Sequence, residues 1–400
     1  MTDAPAERRG RALPAQVLWL GLVSFLTDVS SEAIFAVLPI FLVAVLGAST
    51  VTLGLMEGLA DFAASSLDLA SGYVADRTGR KKRLTALGYG FSASSKLLLV
   101  AAVTVPQVLV FRVIERLGKS IRGPPRDALL AGTAPAAHRG FAFGVHKAFD
   151  KAGAVVGPLL AFALLGALGP SRSSFHRLFL FAVVPAFAAV AVLLLAVREV
   201  AGEGAGRRRL GEVLREAGAP YRRYLYAVAV FSLGYSSFAF LLLKAGAVGF
   251  PPQQVALLYA LYNGSSSLAS APIGRLGDRL GRRRIIALSY ALHAATMLGL
   301  ALAQSKGAVV GLFLLHGCFY SIDEGQTKAF ISDLVPAGAR ATAMGLYGLI
   351  TGVMYLPASL LAGALWERGG PELAFGCAGA LAVVALALLL SLRPEARVAG

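Results

Sequence analysis

Carboxylates and bases stand inside the most apolar stretches of this sequence, at spacings that place them on shared helix faces. Asp28 and Glu32 are four residues apart, Glu57, Asp61 and Asp68 follow i, i+4, i+11, and Lys147 and Lys151 repeat the four-residue step with His146 and Asp150 beside them. The apolar runs before residue 198 hold eight acids, Asp28, Glu32, Glu57, Asp61, Asp68, Glu115, Asp127 and Asp150. They also hold eight bases, Lys96, Arg112, Arg116, Lys119, Arg122, Arg126, Lys147 and Lys151. Equal numbers point to a paired network, because a buried ion without a partner is far costlier than one with a partner. A carboxylate held this way takes up or releases a proton when its partner changes. Proton exchange is therefore the chemistry these residues can do.

Depth in the runs ranks the candidates. Asp28, Glu32, Asp61, Arg112 and Arg116 lie deepest, and Glu115, Lys147 and Asp150 accompany them. An acid partner of the two arginines is expected among Asp28, Glu32 and Asp61, between which the sequence does not choose. Asp68, Arg122, Arg126 and Asp127 lie toward run ends, where they pair with loop charges. The later part of the chain adds Asp323 and Glu324, in a run with His316, Tyr320 and Lys328. His293, alone in its run, reads as a hydrogen-bonding link between helices. Cys318 and Cys377 sit in apolar runs, and no His, Cys and carboxylate spacing closes a metal site, so neither metal nor cofactor is expected. Phosphate-binding loops, nucleophile elbows, zinc-protease helices and kinase loops are missing, which argues against ATP drive and against an enzyme.

The elements that must position these residues are membrane helices. Of 400 residues, 56% are hydrophobic and 15% charged, values that exclude a soluble enzyme or a disordered chain. About 20 apolar residues cross a bilayer as a helix. Runs near 15–45, 51–73, 84–104, 106–133, 139–168 and 175–197 predict six helices, and runs near 223–245, 252–273, 285–304, 307–333, 340–365 and 372–392 predict six more. The first run is too long and too interrupted by Asp28 and Glu32 for a cleaved signal peptide. The expected division is a six-helix bundle over 1–197, a basic linker over 198–222 carrying one short surface helix, and a second bundle over 223–400.

The net charge of +16 would suit nucleic-acid binding in a soluble protein. Here it reads as orientation. On the predicted map, 24 Lys and Arg fall in the termini and loops of one side and five, Arg172, Arg177, Lys244, Lys306 and Arg368, on the other. Basic residues collect in cytoplasmic loops, so both termini are expected in the cytoplasm, the bilayer is the partner, and no nucleic-acid partner is expected.

The chain repeats itself. "GYVADRTGRKK" (72–82) returns as "GRLGDRLGRRR" (274–284) at an offset of 202, and "PAAHRGFAFG" (135–144) as "PAGARATAMG" (336–345) at 201. One register for two separated pairs points to two parallel halves. Gly72, Asp76, Arg77, Gly79 and Arg80, repeated as Gly274, Asp278, Arg279, Gly281 and Arg282, match the loop signature of the major facilitator superfamily, and the sequence resembles that family over essentially its whole length.

The resemblance implies an all-α polytopic membrane protein of twelve helices in two pseudo-symmetric halves. It implies a small-molecule substrate moved by alternating access, coupled to protons, in the cytoplasmic (inner) membrane, by a chain that works as a monomer. It also implies that Asp76 meets helix eleven near Arg340 in one conformation, and Asp278 meets helix five near Arg139. Gly153, Gly157 and Pro158 match the core of a helix-five signature of the family's antiporters, although Leu159, Leu160 and Ala161 replace the Gly pair that should follow. Export by antiport is thus expected ahead of uptake by symport, while the same glycine spacing is also a close-packing device in lipid. Arg112 or Arg116 would correspond to the family's helix-four arginine. The alternative in another class is a receptor or an enzyme on the same fold.

Overall fold

The computed structural model describes residues 14–134, 138–200, 218–235, 237–335 and 340–391, with all their side chains except those of residues 68, 69, 76, 278, 341 and 342. Most of the linker, with its expected surface helix, lies outside the described residues. So do the side chains of Asp68, Asp76 and Asp278. The described residues form α1 (Ala15–Val45), α2 (Thr50–Thr78), α3 (Lys81–Val100), α4 (Val105–Thr133), α5 (Arg139–Leu168) and α6 (Arg172–Ala196). After the linker come α7 (Ala219–Ala247), α8 (Pro252–Leu280), α9 (Arg282–Leu302), α10 (Lys306–Leu334), α11 (340–368) and α12 (371–391). This is the twelve-helix architecture expected from the runs.

Two of the predicted boundaries move for a physical reason. The basic clusters at 81–83 and 282–284 were expected in loops, but they form the first turns of α3 and α9. Gly79 (φ 65°) and Gly281 (φ 84°) adopt the left-handed backbone that reverses the chain within a residue or two. These two glycines occupy the same place in the 202-residue repeat. The repeat is visible again where α1 breaks at Ala36–Val37 and α7 breaks at Tyr235 and at Ser237–Phe238. The segments beyond those breaks, Leu38–Ile40 and Ala239–Ala247, pack on each other.

Contacts sort the helix ends into two sets. At one end, Gln16 Nε2 donates to the Arg198 carbonyl at 3.1 Å, the Lys82 amide donates to Glu199, and Arg283 donates to the Leu390 carbonyl at 2.6 Å. At the other, Arg172 donates to the Val103 carbonyl at 3.1 Å, and Lys244 pairs with Glu372 at 3.3 Å. The basic loops therefore share one end of the bundle.

The halves meet through α2 against α11 and α5 against α8. Glycine makes the first crossing close, since a Cβ on Gly54 would overlap the Ser359 carbonyl and one on Gly363 the Thr50 carbonyl. Thr50 Oγ1 adds a hydrogen bond to the Gly363 carbonyl at 3.0 Å. The apolar core is continuous across both halves only away from the basic loops, where Phe35, Phe41, Leu241, Tyr259, Leu300 and Phe375 belong to one cluster. Toward the basic end it splits into one cluster per half. Between those clusters lies a cavity of about 1170 Å3.

Candidate functional site

Helices α2 and α4 both run from the sealed end toward the basic end, so a four-residue step on one matches a four-residue step on the other. Arg112 Nε and Nη2 donate to the two Glu57 oxygens, both at 2.8 Å, and Nη1 donates to Glu115 at 3.1 Å. One turn on, Arg116 Nη2 lies 3.0 Å from Asp61 Oδ1. Of the three acids left open as partners, Asp61 is the one that pairs with Arg116. Arg112 does not pair with Asp28 or Glu32; its partners are Glu57, counted among the acids but not ranked as a candidate, and Glu115. The reason is helix placement, because α1 turns its acids toward α5 and α8.

On that side, Glu32 accepts a hydrogen bond from Tyr259 OH of α8 at 2.6 Å, so this contact joins the two halves. Asp28 is in hydrogen-bonding contact with Asp150 of α5. Asp150 also accepts from Ser24 Oγ at 2.7 Å and pairs with Lys147 at 3.1 Å. Lys147 reaches Glu324 of α10 at 2.5 Å, and Lys151 reaches the other Glu324 oxygen at 3.0 Å. Two lysines of the first half thus hold one carboxylate of the second, and Lys147 is shared between a carboxylate on each side. Arg126, Asp127, Lys147, Asp150, Lys151 and Glu324 all line the cavity.

The helices reach these positions by close packing. A Cβ on Gly153 would press on the Phe25 carbonyl and Asp28, and one on Gly157 on the Val29 carbonyl. Gly153 and Gly157, with Pro158 buried beside them, therefore seat α5 directly on the turn of α1 that carries Asp28. Lys96, wholly buried, donates to Ser30 Oγ at 2.5 Å and Ser31 Oγ at 3.0 Å, between Asp28 and Glu32 in sequence. Sequence reasoning counted Lys96 but did not rank it.

The second half contributes rings. Phe238 packs on Tyr259 and Tyr262, and His293, expected to link helices by hydrogen bonds, packs on Phe231, Phe319 and His316 at 4.7–5.6 Å. Ser237 of α7 donates to Glu57 at 3.0 Å, a further contact across the halves. Aromatic side chains at helical spacing read as ordinary core, so the sequence held no signal separating these from packing residues. Asp323 accepts from Thr327 Oγ1 at 3.2 Å.

The repeated loop motif is partly visible. Arg77 donates to Tyr73 OH at 3.2 Å, Arg80 and Arg279 are exposed, and Arg282 pairs with Asp333 at 3.2 Å. Gly72 and Gly274 lie within α2 and α8. Arg139 and Arg340, the expected neighbours of the motif aspartates, each donate to a carbonyl eight residues back, Ala131 at 3.0 Å and Ser332 at 3.2 Å. The same contact recurs at the repeat's offset.

A family model for the Major Facilitator Superfamily matches residues 20–243 and 224–399. An uncharacterized MFS-type transporter of Methanocaldococcus jannaschii is 33% identical over 386 residues, 95% of each chain. The multidrug resistance protein MdtH of Aeromonas hydrophila is 26% identical over 388 residues, covering 93% of this chain and 94% of that one. A crystal structure of the nucleoside transporter NupG superposes with a TM-score of 0.79 at 13% identity, over 94% of this chain and 99% of its own. With its helices, repeat and matched residues in agreement, the chain belongs to the major facilitator superfamily and is a multi-pass membrane transporter of that type.

Proposed function

We propose that this transporter exports a small solute in exchange for protons, with Asp28, Asp150, Lys147 and Glu324 as the coupling residues. The observation that carries the reading is the shared position of Lys147, which touches Asp150 in its own half and Glu324 in the other. If the halves part, Lys147 loses Glu324 and its charge falls on Asp150 alone. Asp150 in turn contacts Asp28, and two carboxyl groups in contact repel when both are charged and attract when they share a proton. Movement of the halves is thereby linked to proton occupancy. Export, ahead of symport, is supported by the Gly153, Gly157 and Pro158 pattern and by the similarity to a multidrug resistance protein.

The proposed orientation, both termini in the cytoplasm and the chain in the cytoplasmic membrane, is supported by the 24 to five division of basic residues. In that orientation the cavity opens to the cytoplasm. The motif aspartates Asp76 and Asp278 are proposed as gates, each stabilised against a helix terminus by about 0.3–1 kcal/mol. We take the monomer as the working unit.

The test is reconstitution into liposomes under an imposed pH gradient, with a panel of solutes. Antiport moves solute against the direction of proton flow, and symport moves both together. Asp28→Asn and Asp150→Asn should each abolish pH-driven flux while leaving the purified protein monodisperse. Full pH dependence in both variants would overturn the assigned coupling residues.

A further inference from the structure

Where α3 begins, three basic residues are used in two different ways. Lys82 is engaged with protein: its amide donates to both Glu199 oxygens at 2.9 and 3.0 Å, and its Nζ donates to the Leu194 carbonyl, in the last turn of α6, at 2.8 Å. Lys82 thereby ties the start of α3 to the end of α6. Arg80, just before α3, and Arg83, in its first turn, are exposed, and among the described residues neither guanidinium has a hydrogen-bonding or ionic partner. Glu199, the acid at this place, is held by backbone.

Below this tie α3 and α6 leave a groove of about 1050 Å3 on the outer face of the first half. Arg80, Lys82, Arg83 and Glu199 stand at its mouth, and Leu87, Gly90, Phe91, Val190 and Leu194 line its length. Leu87, Phe91 and Leu194 are each about half exposed, and a Cβ on Gly90 would meet nothing within 4 Å. Gly90 is therefore an open notch and not a close helix crossing. From Lys82 to Ser94, the far lining residue, the groove follows α3 for about 18 Å at 1.5 Å per residue. One leaflet of a bilayer with a hydrocarbon core of about 30 Å is about 15 Å deep. The groove thus has the depth of one leaflet, with its cations at headgroup level.

The geometry points to a lipid site: the groove between α3 and α6 takes an acyl chain of an anionic phospholipid from the leaflet at the basic end, with the lipid's phosphate on Arg80 and Arg83. Charge complementarity sets the class, since three cations face one acid at the mouth and the planar guanidinium fork matches phosphate oxygens. A zwitterionic headgroup would bring its own cation against the arginines. Bulk lipid covers every apolar face of a membrane protein; the notch at Gly90 and two unpaired guanidiniums above it distinguish this one. The groove shares no lining residue with the cavity between the halves, so the inference stands apart from the coupling and export reading.

The test uses the full chain in phosphatidylcholine nanodiscs containing a trace of phosphatidylglycerol or phosphatidylcholine with a photoreactive diazirine in the acyl chain, followed by mass spectrometry of the labelled peptides. Labelling of residues 87–94 and 190–194 should be greater with the phosphatidylglycerol probe by about fivefold or more. Residues 383–390 of α12, which include the exposed Val383, Val384 and Leu390, are the reference face and should show a smaller excess. Arg80→Gln combined with Arg83→Gln should remove the preference for phosphatidylglycerol in the groove. Gly90→Leu, whose Cβ enters open space, should lower groove labelling by about fourfold or more and leave the reference face unchanged. Because it alters no charge, it decides the matter if the arginine variant does not fold. Equal labelling by the two probes, or a preference that survives loss of both arginines, would overturn the site. An equal excess on α12 would reduce it to attraction by the whole basic end and overturn it too. So would absence of groove labelling by either probe, which would give the groove to another occupant such as a second copy of the chain.

Discussion

Two arginines one turn apart on α4 have different work to do. Arg112 is 6% exposed in its side chain and saturated, with Glu57 on two nitrogens and Glu115 on the third. Arg116 is 22% exposed, bonds Asp61 through one nitrogen, and has a buried Nε without a partner. The first arrangement is that of a fixed structural pair and the second of a pair free to exchange. Arg112→Gln should therefore destabilise the protein by about 3–5 kcal/mol, because it strands two buried carboxylates. Adding Glu57→Gln should recover part of that loss, and thermal unfolding of the two single variants and the double variant gives the coupling. Additive losses would show that the two side chains do not interact. Arg116→Gln should cost less stability and more transport. The opposite ranking of the two arginines in unfolding would contradict the division.

Secondary structure was the most legible level of this chain, and helix pairing the least. Apolar runs long enough to cross a bilayer placed all twelve helices, and the i, i+4 steps at Glu57 and Asp61 and at Arg112 and Arg116 announced faces that could meet. That they do meet follows from α2 and α4 running parallel, a consequence of alternating crossings within one half. The identity of the partners depended on helix rotation, which no single helix's pattern encodes, so Glu57 was not ranked and the choice among Asp28, Glu32 and Asp61 stayed open. Helix five shows how a motif acquires meaning once its neighbour is known, for Gly153 and Gly157 admit the backbone of α1 beside Asp28. Gly157→Val should force α1 and α5 apart, lower stability by about 1–3 kcal/mol as overpacking does, and uncouple flux from the pH gradient. Stability and coupling both at wild-type values would mean that the crossing tolerates a wider spacing than the structure shows.

For the whole molecule, the two ends of the half-to-half interface are built from different interactions. The end away from the basic loops is closed by a continuous apolar cluster in which the rings of Phe35 and Tyr259, from opposite halves, pack at a tilt with centroids 5.5 Å apart. The other end has a cavity and a charge link, Lys147 and Lys151 on Glu324, with side-chain exposures of 46%, 18% and 30%. Apolar burial resists opening through area removed from water, whereas partly exposed ion pairs contribute about 0.2–1 kcal/mol each and are screened by salt. Interfaces so unequal bias the halves to rock open at the charged end, in the conformation observed here. Glu324→Gln removes both ion pairs, yet Lys147 keeps Asp150, and Lys151 keeps the Tyr320 ring and Ser266. The variant should therefore fold, and should shift the population toward wider opening at the basic end by about 1 kcal/mol, the sum of two such pairs. Spin labels at Thr78 and Arg284, exposed residues at that end on opposite halves, with Cys318 and Cys377 replaced by Ser, would report the change as a longer distance distribution. High salt should move the wild type in the same direction and leave the variant unmoved. Phe35→Ala, which weakens the apolar seal at the far end, should shift the distribution the opposite way. If Glu324→Gln and Phe35→Ala shifted it in the same direction, the two ends could not be opposing each other, and the rocking of rigid halves about this interface would have to be abandoned.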